Sequence, residues 1–174
     1  MNANSQAGIY VHIPFCRAKC AYCDFNSYAG AEKSIGRYHQ ALLKEVSTVL
    51  GGGNVLARTV FFGGGTPTVM APGDLIEVLQ AIPLDASCSE ISVEANPGTI
   101  TANGLKLLRD AGFNRISLGV QSMDDGELQL LGRIHDRETA IASIAQARAA
   151  GFDNLNVDLI FGLPGQALAM WQQT

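Results

Sequence analysis

Ala111-Gly112-Phe113-Asn114-Arg115-Ile116 recurs as Ala150-Gly151-Phe152-Asp153-Asn154-Leu155. In both copies a segment of helical periodicity stops at a glycine, a phenylalanine follows, and an apolar run begins two or three residues later. Glycine suits that place because a helix commonly ends in a left-handed turn. Each copy therefore reads as helix–Gly–Phe–strand, one step of a stacked βα repeat. Taken as an ordinary αβ turn, the segment still gives the same alternation.

Working outward, residues 8–13, 59–62, 90–95, 115–120 and 155–161 read as strands. Between them lie apolar stripes of helical spacing. Ile35, Tyr38, Leu42, Val46, Val49 and Leu50 form one, which stops at the linker Gly51-Gly52-Gly53. Pro72 opens the next, whose face is Leu75, Val78, Leu79 and Ile82 and which Pro83 ends. Thr101 caps a helix carrying Leu105 and Leu108; a short one spans 127–131; Asp136 caps a last one with Ile141, Ile144 and Ala145. Residues 165–174 read as the start of another helix. Alternating strands and helices predict a parallel α/β sheet covered by helices, either an open doubly wound sheet or a barrel. Both architectures bind ligands at the C-terminal ends of the strands. Gly63-Gly64-Gly65-Thr66, Glu94, Gln121 and Asp158 all fall there, and the first strand runs straight into a cysteine cluster.

Composition narrows the function. The chain has 174 residues, 47% hydrophobic and 16% charged, which is enough apolar surface for one sizeable core and excludes disorder. With 12 Lys and Arg against 16 Asp and Glu, and no basic cluster, it is a poor binder of nucleic acid or anionic membrane. No apolar run approaches the roughly 18–20 residues of a membrane span. The start, Met1-Asn2-Ala3-Asn4-Ser5-Gln6, has neither the basic nor the apolar region of a signal peptide. The expected location is the cytoplasm, where thiols stay reduced.

That expectation bears on Cys16, Cys20 and Cys23; Cys88 stands apart. A disulfide in this loop would leave one thiol over. Structural zinc takes four protein ligands and would need His12 or Cys88. A catalytic nucleophile explains one cysteine of three. An iron–sulfur cluster held by three thiolates leaves one iron free to bind a ligand.

Cys16-x3-Cys20-x2-Cys23, entered through Tyr10-Val11-His12-Ile13-Pro14-Phe15, resembles the radical S-adenosylmethionine (SAM) superfamily. More narrowly it is similar to the branch that holds oxygen-independent coproporphyrinogen III oxidase (HemN) and the heme chaperone HemW. Gly63-Gly64-Gly65-Thr66-Pro67, Val93-Glu94-Ala95-Asn96-Pro97, Gly119-Val120-Gln121-Ser122 and Asp158-Leu159-Ile160-Phe161-Gly162-Leu163-Pro164 match in the family's order. The resemblance implies a partial (β/α)6 TIM-like barrel and a [4Fe–4S] cluster on Cys16, Cys20 and Cys23. It also implies SAM on the open iron, cleaved by a cluster electron to a 5′-deoxyadenosyl radical.

By matching position, Gly64, Gly65 and Thr66 meet the methionine end of SAM and Glu94 a ribose hydroxyl. Gln121 hydrogen-bonds the cofactor, Arg133 contacts it at the carboxylate, and Asp158 faces the ligand. Tyr10 and Tyr22 stand beside the cluster. In HemN-like enzymes some of these positions serve a second SAM, so one or two molecules are implied. Cys88 reads as a small buried hydrophobe, His39 as a solvated helix residue, His135 as a loop residue before a helix, and Trp171 equally as packing or as function.

HemN-type oxidases carry a further cysteine two residues after the third. Phe25 stands there, and Cys23-Asp24-Phe25-Asn26-Ser27 is the HemW-like form. The resemblance therefore implies a heme chaperone whose partners are heme, an acceptor protein and an electron donor. The alternative is the oxidase acting on a tetrapyrrole; a zinc-binding module is the third reading. Residues 1–174 are expected to be the N-terminal part of the radical SAM core, with about five barrel strands. The barrel's end and the family's C-terminal domain would then be absent.

Overall fold

A computed structural model describes residues 5–174. Five strands form one parallel sheet: β1 (Ser5–Ile13), β4 (Val55–Gly64), β5 (Glu90–Ala95), β6 (Arg115–Gln121) and β7 (Asn154–Leu159), in that spatial order. The crossovers carry α1 (Ile35–Leu50), α2 (Pro72–Ala81), α3 (Ala102–Asp110) and α5 (Arg137–Ala149). Strand order follows chain order, and each crossover helix meets the next, α1 on α2, α2 on α3, α3 on α5. Same-handed crossovers in an unreversed order put all helices on one side. The sheet is thus the α/β wall of a partial TIM-like barrel, not a doubly wound sheet.

The two faces of the sheet differ in chemistry because strand side chains alternate. Ile91, Val93, Ile116, Leu118, Val60 and Phe62 are buried in the core beneath the helices. Residues one step out of phase, Glu94, Ser117, Gln121, Asn156 and Asp158, are polar and face the concave side. Phe113 and Phe152, the repeated phenylalanines, are both fully buried, each just after a glycine with positive φ (Gly112, Gly151). The repeat therefore places one large core side chain at the base of each following strand.

Sequence boundaries hold to within a few residues. Thr101 and Asp136 cap α3 and α5 through Gly104 and Thr139 backbone N–H groups. The short helix α4 (Asp125–Leu130) starts two residues before 127 because Asp124 caps it, accepting from Glu127 N at 2.9 Å. β7 stops at Leu159 instead of 161, and α6 (Leu168–Gln173) ends the chain. Two short strands, β2 (Phe15–Cys16) and β3 (Tyr28–Ala29), bracket the cysteine loop, a pairing periodicity did not announce. One reading is corrected: His39 is buried, not solvated. It sits on the α1 stripe with Leu42 and Val46, facing Glu77 and Asp74 of α2 at 3.4 and 3.8 Å.

Candidate functional site

At the C-terminal end of the sheet an open cleft is lined by Cys16, Cys20 and Cys23 together with Tyr22, Gly64, Gly65, Thr66, Glu94, Gln121, Arg133 and Asp158. Of the residues that the resemblance assigns to the cluster or to SAM, Tyr10 alone is not among its lining. Tyr10 lies deeper on the concave face, stacked on Phe61, with its hydroxyl 3.0 Å from His12 Nδ1. Burial and the neighbouring Glu94 raise its pKa. Cys88 precedes β5 at the opposite end of the sheet, packed against the core, and so cannot join the three thiols. All four cysteines are unpaired.

The cysteine loop is held by a chain of hydrogen bonds reaching across the barrel. Arg133 Nη1 donates to Cys20 Sγ at 3.3 Å and Tyr22 Oη at 3.5 Å, and Nη2 donates to Asn96 Oδ1 at 2.7 Å. Asn96 Nδ2 donates to Thr66 Oγ1 at 2.8 Å. The Thr66 hydroxyl, accepting there, has its own proton free for Cys16 Sγ at 3.6 Å. Two of the three thiols are thereby joined through Arg133, Asn96 and Thr66. Asn96 carries no role of its own in the sequence reading; its signals are its place at the end of a strand and within the matching segment Val93-Glu94-Ala95-Asn96-Pro97.

Arg133 Nε is buried and has no partner among the described residues. A buried donor atom left unmet on a half-buried cation is costly, and it points to an acceptor that the protein does not supply. Among the described residues no three His, Cys, Asp or Glu side chains gather on one ion-sized point. The thiols instead line the wider cleft. Unpaired thiols and an orphan guanidinium donor on one cleft fit an anionic sulfur-ligated body with a zwitterion beside it.

The glycines answer first to the protein. A Cβ at Gly65 would lie 2.6 Å from Phe15 O and 3.0 Å from Cys16 Sγ. Gly64 has φ +114°, and a Cβ there would strike the His12 ring at 2.6 Å. Gly65 N and Thr66 N donate to Ile13 O and Phe15 O at 2.8 and 2.7 Å, so this segment seats the entry of the cysteine loop.

The carboxylates stand apart from the thiols. Glu94 accepts from Gly64 N at 3.2 Å, yet burial raises its pKa above the ordinary glutamate value, with Asp158 adding to the rise. Asp158 accepts from Ser117 Oγ at 3.1 Å and Asn156 Nδ2 at 2.7 Å. Tyr22 is pushed up to about 12, first by burial and further by the two neighbouring thiols, against the lowering pull of Arg133.

Gln121 is the one non-glycine residue with positive φ (+76°) among the described residues, at a bulge between β6 and β7. Such a conformation costs roughly 1–3 kcal/mol and persists only when overdetermined. Three successive carbonyls are taken: Gly119 O by Arg133 Nη2, Val120 O by His135 Nε2 at 3.1 Å, and Gln121 O by Ile160 N at 2.9 Å. His135 lies in the loop before α5, as its sequence position suggests, and is buried there. Its Nε2 must carry the proton to meet a carbonyl, which leaves Nδ1 without a partner, and burial then Arg133 lower its pKa.

A parallel half-barrel with three thiols at the exit of its first strand defines a class, and the chain belongs to the radical SAM superfamily, whose model matches residues 10–174. Among its relatives, it is 42% identical over 164 residues to "Heme chaperone HemW" of Bacillus subtilis (strain 168), covering 91% of this chain and 43% of that protein. It is 39% identical over 176 residues to "Radical S-adenosyl methionine domain-containing protein 1, mitochondrial" of Mus musculus, covering 99% and 40%. The structure of coproporphyrinogen III oxidase (HemN) from Escherichia coli superposes with a TM-score of 0.89 at 32% identity, covering 100% of this chain and 41% of that one. The chain spans about two fifths of the length of these relatives.

Proposed function

We propose that Cys16, Cys20 and Cys23 hold a [4Fe–4S] cluster, that SAM (one or two molecules) occupies the cleft beside it, and that the protein acts as a heme chaperone. The observation that carries this reading is the opening of three unpaired thiols onto the cleft that Arg133, with its unmatched Nε, also lines. When bound, a cluster with one open iron supplies the electron that splits a sulfonium.

The chain's own residues bind and orient. Arg133 offers its free donor to a carboxylate, while its other nitrogens keep Cys20 and Asn96 in place. Gly64 and Gly65 line the side of the cleft where an amino-acid zwitterion would sit, and Thr66 couples that segment to Cys16. Glu94 and Asp158 accept ribose hydroxyls, and Gln121 presents its amide from the bulge. Tyr22 shields the centre from water, with Tyr10 closing the concave face below.

Two supports favour the chaperone: the identity to the Bacillus relative, and Phe25, which is 70% exposed at the cleft where the oxidase-type motif has a cysteine. The oxidase reading draws on the close superposition with the Escherichia coli enzyme. The partners implied are heme or another tetrapyrrole, an acceptor protein and an electron donor. No helix among the described residues is long and apolar enough to cross a membrane, and the cytoplasm is the proposed location. We read residues 1–174 as the N-terminal part of the radical SAM core. Heme titration of the full-length, anaerobically reconstituted protein tests the chaperone; stoichiometric heme uptake supports it. Release of 5′-deoxyadenosine and methionine only when coproporphyrinogen is added would replace it with the oxidase.

A further inference from the structure

We propose that Lys19 is a positioning residue that fixes the cysteine loop with its hydrogen bonds and biases the bound centre with its charge. This rests on the reading of the loop as a cluster site.

Lys19 directly precedes Cys20, yet its side chain turns to the far end of the loop. Nζ donates to Phe25 O at 2.7 Å, Ser27 Oγ at 3.0 Å and Ser27 O at 3.4 Å. An ammonium has three protons, and all three are engaged. No donor remains for a ligand, so Lys19 acts on a neighbouring group through shape and charge alone.

The shape matters because residues 23–27 have no regular structure. Besides Lys19, their long-range tether is His12 Nε2 to Asn26 O at 2.9 Å, with Tyr28 N to Pro14 O at 2.8 Å just beyond. Lys19 closes the span from Cys20 past Cys23 to the buried Ser27 and keeps both thiols turned to the cleft.

The charge matters because its acceptors are neutral. Lys19 forms no ion pair among the described residues, and it lines the same cleft as the three thiols. A cation that lines the cleft the three cysteines open onto, left without a carboxylate, stabilises whichever state of the centre carries more negative charge, which is the reduced one.

The test compares the full chain with Lys19→Met and Lys19→Arg after anaerobic reconstitution, measuring iron and sulfide content, iron loss to a chelator, and reduction potential by EPR-monitored titration. Lys19→Met is expected to lose iron roughly 10- to 100-fold faster, the usual cost of an outer-shell deletion. Its potential should also shift to a more negative value. Lys19→Arg should keep the potential, since the charge stays, but lose iron faster, because a planar fork cannot reproduce three converging bonds. Should Lys19→Met fail to fold, the Arg variant still separates charge from shape. Wild-type potential and release rate in Lys19→Met would overturn the assignment of Lys19 alone. Failure of the unsubstituted chain to take up iron and sulfide would overturn the cluster reading, and this inference with it.

Discussion

Arg133 Nη2 donates to Asn96 Oδ1 at 2.7 Å, and that bond joins two otherwise separate supports of the cysteine loop. On one side Arg133 holds Cys20; on the other Asn96 reaches Cys16 through Thr66. Asn96→Ala should therefore do more than remove one contact. It leaves one Nη2 proton unpaired while Gly119 O keeps the other, at a cost of about 1–3 kcal/mol in stability. In a cycle with Thr66→Val the losses should be non-additive by at least about 0.5 kcal/mol. Urea denaturation of the four proteins checks this, and strict additivity would mean the bonds do not act as a chain.

The bulge at Gln121 makes the opposite prediction. Gln121→Gly relieves the left-handed conformation and should raise stability by about 1 kcal/mol. The same change removes the amide from the cleft and should weaken SAM binding. Thermal melts and isothermal titration read the two effects separately; a destabilised glycine variant would show that the backbone is not strained there.

How much of this was legible in the sequence follows from the physics of each residue. Strands, helices, caps and the cysteine loop were readable because periodicity, glycine stops and Thr101 or Asp136 caps act locally. His39 reads as solvated from its polar type, and its place on the α1 stripe with Leu42 and Val46 buries it instead. The roles of Asn96, Ser117, Lys19 and His135 arise from partners 3 to 41 residues along the chain as well as from type. His135 reaches Val120, Ser117 reaches Asp158, and Asn96 reaches Arg133. No spacing rule announces such pairs. The positive φ of Gln121 was equally hidden, since glutamine carries no turn signal.

Glu94 sets a pH dependence. Its folded pKa is raised, so the folded state holds the proton more tightly than the unfolded chain. That contribution is fully present below the ordinary value of 4.5 and is lost as pH rises through the folded value. Glu94→Gln removes the loss. The variant should be more stable than the parent near neutrality, and the gap should close by about pH 4. A gap independent of pH would contradict the burial of this carboxylate.

His135 works in the other direction. Its folded pKa is lowered, so stability present above the ordinary value of 6.5 is lost as pH falls through the folded value. His135→Gln can keep an N–H for Val120 O without gaining a charge. Its stability should be flatter than the parent's between about pH 7 and pH 5, measured by urea midpoints at fixed ionic strength. Parallel curves would show that this ring does not control the acid limb.

The central claim is that three sulfurs, and no fourth protein ligand, hold one centre in this cleft. Iron and acid-labile sulfide should be measured together on the anaerobically reconstituted chain and on Cys20→Ala. The account predicts about four of each per chain in the parent and loss of that complement in the variant. A full complement retained in Cys20→Ala, or one zinc per chain in place of iron and sulfide, would contradict it.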